Sequence, residues 1–301
     1  MIGKIIELGK RIYDTSNHRE LHRFIVFTGR YLVHYPIMNK LVAFFQQDEL
    51  RSEIIRKNAF PIEQASRAFF YAGSTLSERV KLIKNHFSIE QRQLTDEWFV
   101  RLNTDDHYKI WESAQDDIHW YTTLHMAPGQ RKEGLLAVNM YVNDIPLYQI
   151  IFWLDVDKTG EDSMWIGAMQ GPNVADAVAM IKDITKRAHR YRTKNLILYM
   201  TMAVARSFGC KHIYAVSNEG YYAMNHVRRN RKLKTDFGAF WEEPGGHKTT
   251  DPRFYEIPLV EPRKTMEEVP TRKRAVYRKR FAFQDDVDAQ IKMNMQKIMR
   301  G

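Results

Sequence analysis

A strand that turns directly into a helix is the first place where this chain can do chemistry. Residues 163–170 read as a strand, and a Gly–Pro pair ends it ahead of a predicted helix at 174–190. Backbone N–H groups at a helix start, together with the helix dipole, bind anions such as a phosphate or pyrophosphate. Gln170, Gly171 and Asn173 are therefore candidate cofactor-binding residues. The alternative is a tight turn that needs its glycine only for backbone conformation.

A basic run at residues 186–194 follows, and it contains no acidic residue. Arg190, Arg192 and Lys194 are candidate ligands for the same phosphate, because arginine binds phosphate in a bidentate fashion. His189 lies among them and is a candidate catalytic base. The alternative is that cations collect here because the dipole favours them at a helix C-terminus.

Polar residues also follow a short predicted strand at 211–216. Ligands of α/β sheets commonly bind at the carboxyl ends of strands. Glu219 is thus a candidate catalytic residue, and Ser217 and Asn218 are candidate substrate-binding residues. Trp241, beside two acidic residues, is a further candidate substrate contact. The alternative is that Ser217 or Asn218 caps the next helix.

Two more basic runs lie at residues 228–234 and 272–280, and the chain has a net charge of +10. This excess of positive charge favours an anionic partner: a CoA-type donor, tRNA or anionic lipid. Basic runs that merely face solvent are the alternative.

Several function classes are disfavoured by what the chain lacks. It has one cysteine, Cys210, so neither a disulfide framework nor a thiolate zinc cage is predicted. The short motifs of nucleotide hydrolases, Rossmann dehydrogenases, α/β-hydrolases and zinc hydrolases do not occur in the sequence. We therefore expect no metal site.

The predicted helices and strands that must position these residues indicate an α+β fold, which divides into three regions. Residues 1–115 read as helical, residues 116–262 as an α/β core, and residues 263–301 as a basic helical extension. Three antiparallel strands, at 133–142, 145–156 and 163–170, are expected to form the start of the sheet. They are followed by two helices, a strand, a helix at 218–230 and a last strand.

Finer boundaries within the helical region rest on capping patterns. Ser88, followed by Gln91, resembles a capping box and predicts a new helix there.

The hydropathy pattern predicts neither a signal peptide nor a spanning helix. Ile2, Ile5, Ile6 and Ile12 alternate with charged residues at helical spacing. We expect a cytoplasmic protein, with peripheral contact to the inner membrane as a further expectation.

Five sequence blocks stand out along the chain: IGAMQGP (166–172), TKRAHRYRTKNLIL (185–198), AVSNEGYY (215–222), FWEEPGG (240–246) and KRAVYRKRF (273–281). Together they resemble the VirK/YbjX family of Gram-negative bacteria. This resemblance implies a role linked to the cell envelope, lipopolysaccharide, virulence and resistance to antimicrobial peptides, but it supplies no catalytic residue. At the junction of two helices, Arg190 and Thr193 replace the glycine and proline of the family pattern.

The order of elements is also similar to that of GNAT acyltransferases, in which a meander precedes a helix whose start holds the pyrophosphate of an acyl-CoA. This resemblance implies an acyl- or aminoacyl-transferase with acyl-CoA or aminoacyl-tRNA as donor. Gln170 to Asn173 would hold the donor, and Glu219 or His189 would take the proton. The alternative hypothesis is a non-enzymatic envelope factor that binds RNA or anionic lipid through its basic faces.

Overall fold

The expected α+β fold is confirmed by the computed structural model, which describes residues 2–104, 106–126, 131–225 and 236–300. Helices dominate the first hundred residues and a mixed sheet with flanking helices follows. In chain order the first helices are α1 (Ile2–Ile12), α2 (His18–Val33), α3 (Tyr35–Gln46), α4 (Glu49–Lys57), α5 (Phe60–Ser66), α6 (Leu76–Gln93) and α7 (Asp96–Leu102).

An eight-stranded sheet with the order β1-β2-β3-β4-β5-β6-β8-β7 forms the centre of the described structure. Neighbouring strands from β1 to β5 are antiparallel, β6 is parallel to β5, and β8 returns antiparallel to β6. The strands are β1 (Tyr108–Glu112), β2 (Trp120–His125), β3 (Leu136–Val142), β4 (Ile145–Val156), β5 (Asp162–Gln170), β6 (His212–Val216), β7 (His247–Lys248) and β8 (Phe254–Ile257).

The later helices connect or follow these strands. Two helices, α8 (Ala177–Arg187) and α9 (Thr193–Ser207), lie between β5 and β6 in the chain, as the sequence predicts. A short helix, α10 (Phe237–Glu242), precedes β7, and the long α11 (Arg274–Gln296) ends the fold. Among the described helices, none combines the length and the apolar character needed to cross a membrane.

Some predicted boundaries are wrong. The meander has five strands instead of three, because the short strands β1 and β2 precede the three predicted ones and pair with them in one sheet. No helix begins at Ser88, since α6 runs through it and starts instead at a capping box of Thr75 and Glu78. The helix after β5 begins at Ala177 rather than 174. Within the described part of the predicted helix 218–230, only a short 3-10 helix, Tyr222–Asn225, forms.

One face of the sheet is covered by α9 and α11. The Met200 sulfur of α9 lies 3.2 Å from the Thr122 hydroxyl of β2. On the same face, the Phe283 ring of α11 stacks at 5.9 Å on Trp120. We call this the helix face and the opposite side the open face of the sheet, although the central residues of that side, Ala137, Ile151 and Ala168, are buried.

The N-terminal helices and the sheet share one hydrophobic core, which extends from Ile5 to Ile298. The imidazole Nδ1 of His86 in α6 accepts the N–H of Leu154 in β4 at 3.0 Å. Residues 131–135, which come before β3 in the chain, lie between α5 and the sheet and build the site described next.

Candidate functional site

A buried carboxylate, Glu133, lies at the end of the open face near β5. Its side chain is 2% exposed. Its Oε1 accepts the Tyr221 hydroxyl at 3.1 Å and the Gln170 amide at 3.5 Å. Its Oε2 is buried and has no hydrogen-bond partner among the described residues. Buried carboxylate oxygens are normally hydrogen-bonded, so an oxygen without a partner calls for an explanation, and a functional role is one.

Residues 131–135, here called the strap, hold this carboxylate in place. The Gln64 side chain in α5 donates to the backbone carbonyls of Arg131 at 2.6 Å and Gly134 at 2.8 Å. The Leu135 amide donates to a carbonyl of β4 at 2.9 Å. The strap is therefore fixed from the helical side and from the sheet side at once.

Gly167 lets the strap approach the sheet. The register between β4 and β5 shifts by one residue at this glycine, which makes it a β-bulge. A Cβ atom there would lie 1.8 Å from the Glu133 carbonyl oxygen. Only glycine fits, so this residue of β5 decides where the Glu133 backbone can lie.

The Tyr221 hydroxyl is positioned by the loop after β6. The Ser217 hydroxyl accepts the Gly220 N–H at 3.0 Å and donates to the Pro252 carbonyl at 2.8 Å. Tyr221 also forms an isolated β-bridge with Tyr71, which follows α5. Both partners of Glu133 thus come from the ends of neighbouring parallel strands, where α/β sheets commonly bind ligands.

Burial controls the protonation of this cluster. It raises the pKa of Glu133 to about 7, although hydrogen bonds from Tyr221 and Gln170 act in the opposite direction. Burial and the Glu133 charge raise the pKa of Tyr221 well above its ordinary value, so this phenol stays protonated. A carboxyl that titrates near neutrality can take up and release a proton in the physiological range.

This pKa shift predicts an unusual dependence of stability on pH. The ordinary pKa is 4.5 and the folded value is about 7. Between these two pH values the unfolded chain loses the Glu133 proton while the folded chain keeps it. The free energy of unfolding therefore falls as pH rises, and the contribution of this proton is gone once pH passes the folded pKa. Relative to Glu133→Gln, we expect the native chain to lose about 3 kcal/mol between the two values. Urea unfolding of both proteins across this range measures the difference.

The matched control for that measurement is Glu161→Gln, which removes an exposed carboxylate in the β4–β5 turn. Its unfolding free energy should follow the native pH profile. A Glu133→Gln profile parallel to the native one would contradict a raised pKa at Glu133.

A row of polar side chains leads from Gln170 across the open face. Successive strands place Thr123, Asn139, Gln149 and Gln170 opposite one another in register. We call these residues the polar row. Gln149 donates to Gln170 at 3.2 Å, which links the row to the Glu133 cluster.

His125 borders the far end of the polar row. Its Nδ1 lies 3.1 Å from both the Asn139 amide and the Thr123 hydroxyl. Burial and the neighbouring His107 lower its pKa to about 3, so the ring is neutral. Because the Asn139 amide donates to Nδ1, the ring proton is assigned to Nε2. A neutral imidazole in this position can orient a substrate through that N–H.

Of the predicted phosphate ligands beside the turn, Gln170 joins the Glu133 cluster. Gly171 is exposed, and a Cβ atom there would meet only the Tyr148 ring, at 3.2 Å. Asn173 is exposed, and it lies ahead of the start of α8 at Ala177.

The predicted basic ligands lie beyond the other end of α8 and contact groups of this same chain. Arg192 and Lys194 both pair with Glu243, at 3.0 and 2.9 Å. Arg190 is exposed, and its carbonyl accepts the Arg280 guanidinium. An α-helix of eleven residues spans about 16 Å, so α8 separates these cations from Gln170.

The two predicted catalytic residues also contact different parts of the fold. The His189 ring packs edge-on against Phe283 of α11 at 6.2 Å, and burial with the nearby Lys279 and Arg280 charges lowers its pKa. Glu219 is exposed in the loop after β6. No contact joins them in the part of the chain that the structure describes.

The predicted substrate ligands hold the loop architecture. Ser217 fixes the turn before Tyr221 as described above. Its role is therefore structural, as in the helix-cap alternative, but it holds a turn and does not cap a helix. The Asn218 side chain accepts the Phe237 N–H at 2.7 Å at the start of α10. The Trp241 indole is fully buried and donates to the Val216 carbonyl at 2.8 Å. The run 228–234 lies outside the described residues.

Sequence reasoning missed Glu133 as a site residue and assigned it to the start of a strand. The available signal was a lone carboxylate between a basic pair and a glycine, directly before a buried strand. Within the described ranges, no group of three or more His, Cys, Asp and Glu side chains is arranged to hold a metal ion.

Comparison with known proteins places these blocks in a family. The family described as "Protein of unknown function (DUF535)" matches residues 16–293. The chain is 26% identical over 264 residues to the uncharacterized protein YbjX of Escherichia coli K12, covering 86% of this chain and 76% of that protein. An uncharacterized protein of Haemophilus influenzae is 27% identical over 165 residues, covering 55% of this chain and 54% of that protein.

A second Haemophilus influenzae protein, also uncharacterized, is 22% identical over 214 residues, which cover 70% of this chain and 69% of that protein. No solved structure matches the chain significantly. The match over most of its length shows that the chain belongs to the DUF535 family, and the VirK/YbjX resemblance of its sequence blocks is confirmed.

Proposed function

We propose that this protein transfers an acyl or aminoacyl group to an amine or hydroxyl, with Glu133 as the general base. The observation that carries this proposal is the buried Glu133 carboxylate, whose pKa is about 7 and whose Oε2 has no partner among the described residues. A base poised near neutrality and held by hydrogen bonds on its other oxygen suits proton abstraction from an acceptor.

The chemistry is a direct displacement at the acyl carbonyl. The acceptor nitrogen or oxygen attacks that carbon, and Glu133 Oε2 takes the proton that the acceptor loses. The bond from the carbonyl carbon to the donor sulfur, or to the tRNA ribose oxygen, then breaks. The leaving group takes a proton, which Glu133 can return. Tyr221 and Gln170 keep the carboxylate oriented through Oε1, so positioning supplies much of the rate.

The divergence of β5 and β6 supports a donor site beside this base. Their pairing ends at Ile166 and Ala215, whereas β5 continues to Gln170. The extended amide-bearing arm of an acyl-CoA can pair with a strand edge as an added strand does. An aminoacyl-tRNA is the second donor class, and the basic surfaces favour it. Gln149 and Gln170, the partly exposed end of the polar row, are then the contacts for the acceptor.

The setting of the reaction follows from the family resemblance. We propose that the acceptor belongs to the cell envelope, with lipopolysaccharide as the candidate, and that the protein acts in the cytoplasm or at the inner membrane surface. Roles in virulence and in antimicrobial peptide resistance would follow from such a modification.

Thermal unfolding with candidate donors tests the proposal. At about a hundredfold excess over Kd, a true donor stabilises the fold by about 2.7 kcal/mol, which raises Tm by several degrees. We expect this shift with one class among acyl-CoAs and aminoacyl-tRNAs, and a smaller one with free CoA or uncharged tRNA. If no donor of either class changes Tm, the transfer reaction is contradicted.

A non-enzymatic binding role remains the second proposal, and one observation favours it. In the basic run 272–280, which begins in the 3-10 turn before α11 and continues into its first turns, Arg272, Lys273, Arg278 and Lys279 are exposed. Other cations of that run are structural, since Arg280 donates to backbone carbonyls at the α8–α9 junction. The four exposed residues, here called the α11 basic patch, can bind RNA or anionic lipid.

Charge reversal of the α11 basic patch to glutamate tests that second role. If the patch binds single-stranded RNA, the slope of log affinity against log salt should fall by up to about three, since each lost phosphate contact removes about 0.7. Fluorescence anisotropy with a labelled RNA and sedimentation with anionic vesicles give the two readouts.

A reversal of four exposed cations on the N-terminal helices is the control, because it changes net charge equally. Equal affinity losses in both variants would show that net charge alone is responsible, and this would contradict a binding patch on α11. The control cations are Lys10, Arg19, Lys40 and Arg56.

A further inference from the structure

A second feature of the open face is an aromatic pocket of about 520 Å³ beside the Glu133 cluster. Trp153 and Phe254 are buried and form its base. Tyr71, Trp165 and Tyr214 are partly exposed and form its walls. Small-molecule sites typically combine such an aromatic lining with a few fixed polar groups.

The rings of this pocket form a stepped series across the sheet. Trp153 and Trp165 lie nearly parallel with ring centres 6.2 Å apart, and Trp165 lies 4.3 Å from Tyr214. Stepped rings expose part of each π face. The negative faces of aromatic rings attract cations within about 6 Å of the ring centre.

One cation already occupies part of this aromatic surface. The Arg253 guanidinium lies 5.0 Å from the Tyr71 ring centre and 5.7 Å from that of Phe254. Asp251 neutralises it through an ion pair at 2.7 Å. The pocket therefore has the chemistry to hold a positive charge, and Arg253 leaves the rings of Trp165 and Tyr214 available.

A carboxylate without a cationic partner lies against these rings. Asp155 lines the pocket, and its Oδ1 accepts the neutral Asn85 amide at 2.6 Å and the Val156 N–H at 2.8 Å. Burial raises the pKa of Asp155. Among the described residues, no side-chain cation lies within ion-pair distance of it, and the Lys81 charge acts on it only from farther away, where it lowers the pKa. A desolvated carboxylate normally has a positive partner.

The other charged groups of the lining are already paired or lie at the rim. The Asp157 carboxylate accepts the Tyr214 hydroxyl at 3.2 Å, and Glu256 pairs with His212 at 2.8 Å. Lys158 and Lys248 are exposed.

We propose that this pocket binds a small organic cation whose ammonium group sits over Trp165 and Tyr214 and pairs with Asp155. The volume admits a short alkyl or amino-alcohol ammonium group and excludes a folded chain. This site is separate from the proposed transfer reaction, because the Tyr71–Tyr221 bridge and Gly167 lie between the pocket and the Glu133 carboxylate.

The test uses choline and butylammonium as probes with the full-length protein. Their neutral analogues, 3,3-dimethylbutanol and butanol, have nearly the same shape and no charge. We expect saturable binding of at least one cation, with a shifted indole N–H signal for Trp165 in nitrogen-15 NMR spectra. The neutral analogue should bind at least about tenfold more weakly, since it gains neither the ring nor the carboxylate attraction.

Two variants locate the binding. Asp155→Asn keeps the shape of the side chain and removes its charge, and Trp165→Leu removes a ring that is only partly buried. Each should weaken cation binding by about tenfold or more, while Glu161→Gln, outside the pocket, should leave it unchanged. Melting curves confirm that each variant is folded.

Three results would overturn the proposal: equal affinity for cation and neutral analogue, unchanged affinity in both folded variants, or no saturable binding by either cation up to roughly 50 mM. Donor-induced stabilisation is a separate measurement, so the transfer reaction can fail while the cation site stands, and the reverse also holds.

Discussion

Replacing Glu133 by glutamine is expected to lower the rate of acyl transfer by about 10²- to 10⁴-fold, the contribution typical of a general base. Glutamine keeps the size of the side chain and can still bind Tyr221, but it cannot take a proton. Donor-induced stabilisation should therefore survive in the variant. Release of free thiol from an acyl-CoA, in the presence of amine acceptors, measures the rate.

The pH profile gives this prediction a signature that a structural role would not produce. Because the pKa of Glu133 is about 7, the native rate should rise as pH increases through that value and then level off. The residual rate of Glu133→Gln should lack this rise. An aminoacyl-tRNA donor is followed in the same way, by loss of the charged tRNA.

Glu219→Gln and His189→Asn are the matched controls, because both residues are candidates from the sequence alone. We expect each to retain a rate close to the native one, since Glu219 is exposed and His189 packs against α11. A large loss in either control together with a normal rate in Glu133→Gln would reject the assignment to Glu133 and restore the one based on sequence.

Replacing Gly167 by alanine is expected to destabilise the fold by about 3 kcal/mol or more, at the upper end of overpacking effects. The added Cβ would lie 1.8 Å from the Glu133 carbonyl oxygen, and a backbone atom cannot move aside as a flexible side chain can. The strap must then lift from β5, so the transfer rate should fall as well. Urea unfolding and the thiol-release assay measure both effects.

Gly171→Ala is the control for that substitution. The same added atom would meet only the edge of the Tyr148 ring at 3.2 Å, on an exposed residue. We expect a change within about 0.5 kcal/mol, as for most surface substitutions. If the two variants were equally stable, the close approach of the strap to β5 would be incorrect.

Elements with strong local signals could be predicted from sequence. The strand Ile145–Val156 has the predicted bounds, because a long apolar run after an Asn–Asp turn is typical of a central strand. The helix predicted at 194–209 forms as Thr193–Ser207, because its apolar positions recur at helical spacing. The short strands β1 and β2 lack such signals. Pairing of β2 with β3, and of β1 with β2, stabilises them.

The basic run at 186–194 shows how far a local pattern extends. The cations of this run are evident from the sequence, but their role is not. Arg192 and Lys194 form ion pairs with Glu243, which lies about fifty residues later in the chain. An ion pair between distant residues leaves no periodic signal in either segment.

The sequence by itself determined the α+β class, the family and the turn after β5 near which the site lies. Only the tertiary structure decided which carboxylate is the candidate base. Glu63 and Glu90 are buried as well, so burial alone does not single out Glu133. Its contacts with Gln170 and Tyr221, which lie 37 and 88 residues away, place it at the ends of the neighbouring strands β5 and β6. A pKa depends on the solvent, charges and hydrogen bonds around the group. For Glu133 these surroundings exist only after α5, the strap, Gly167 and the loop after β6 have packed together.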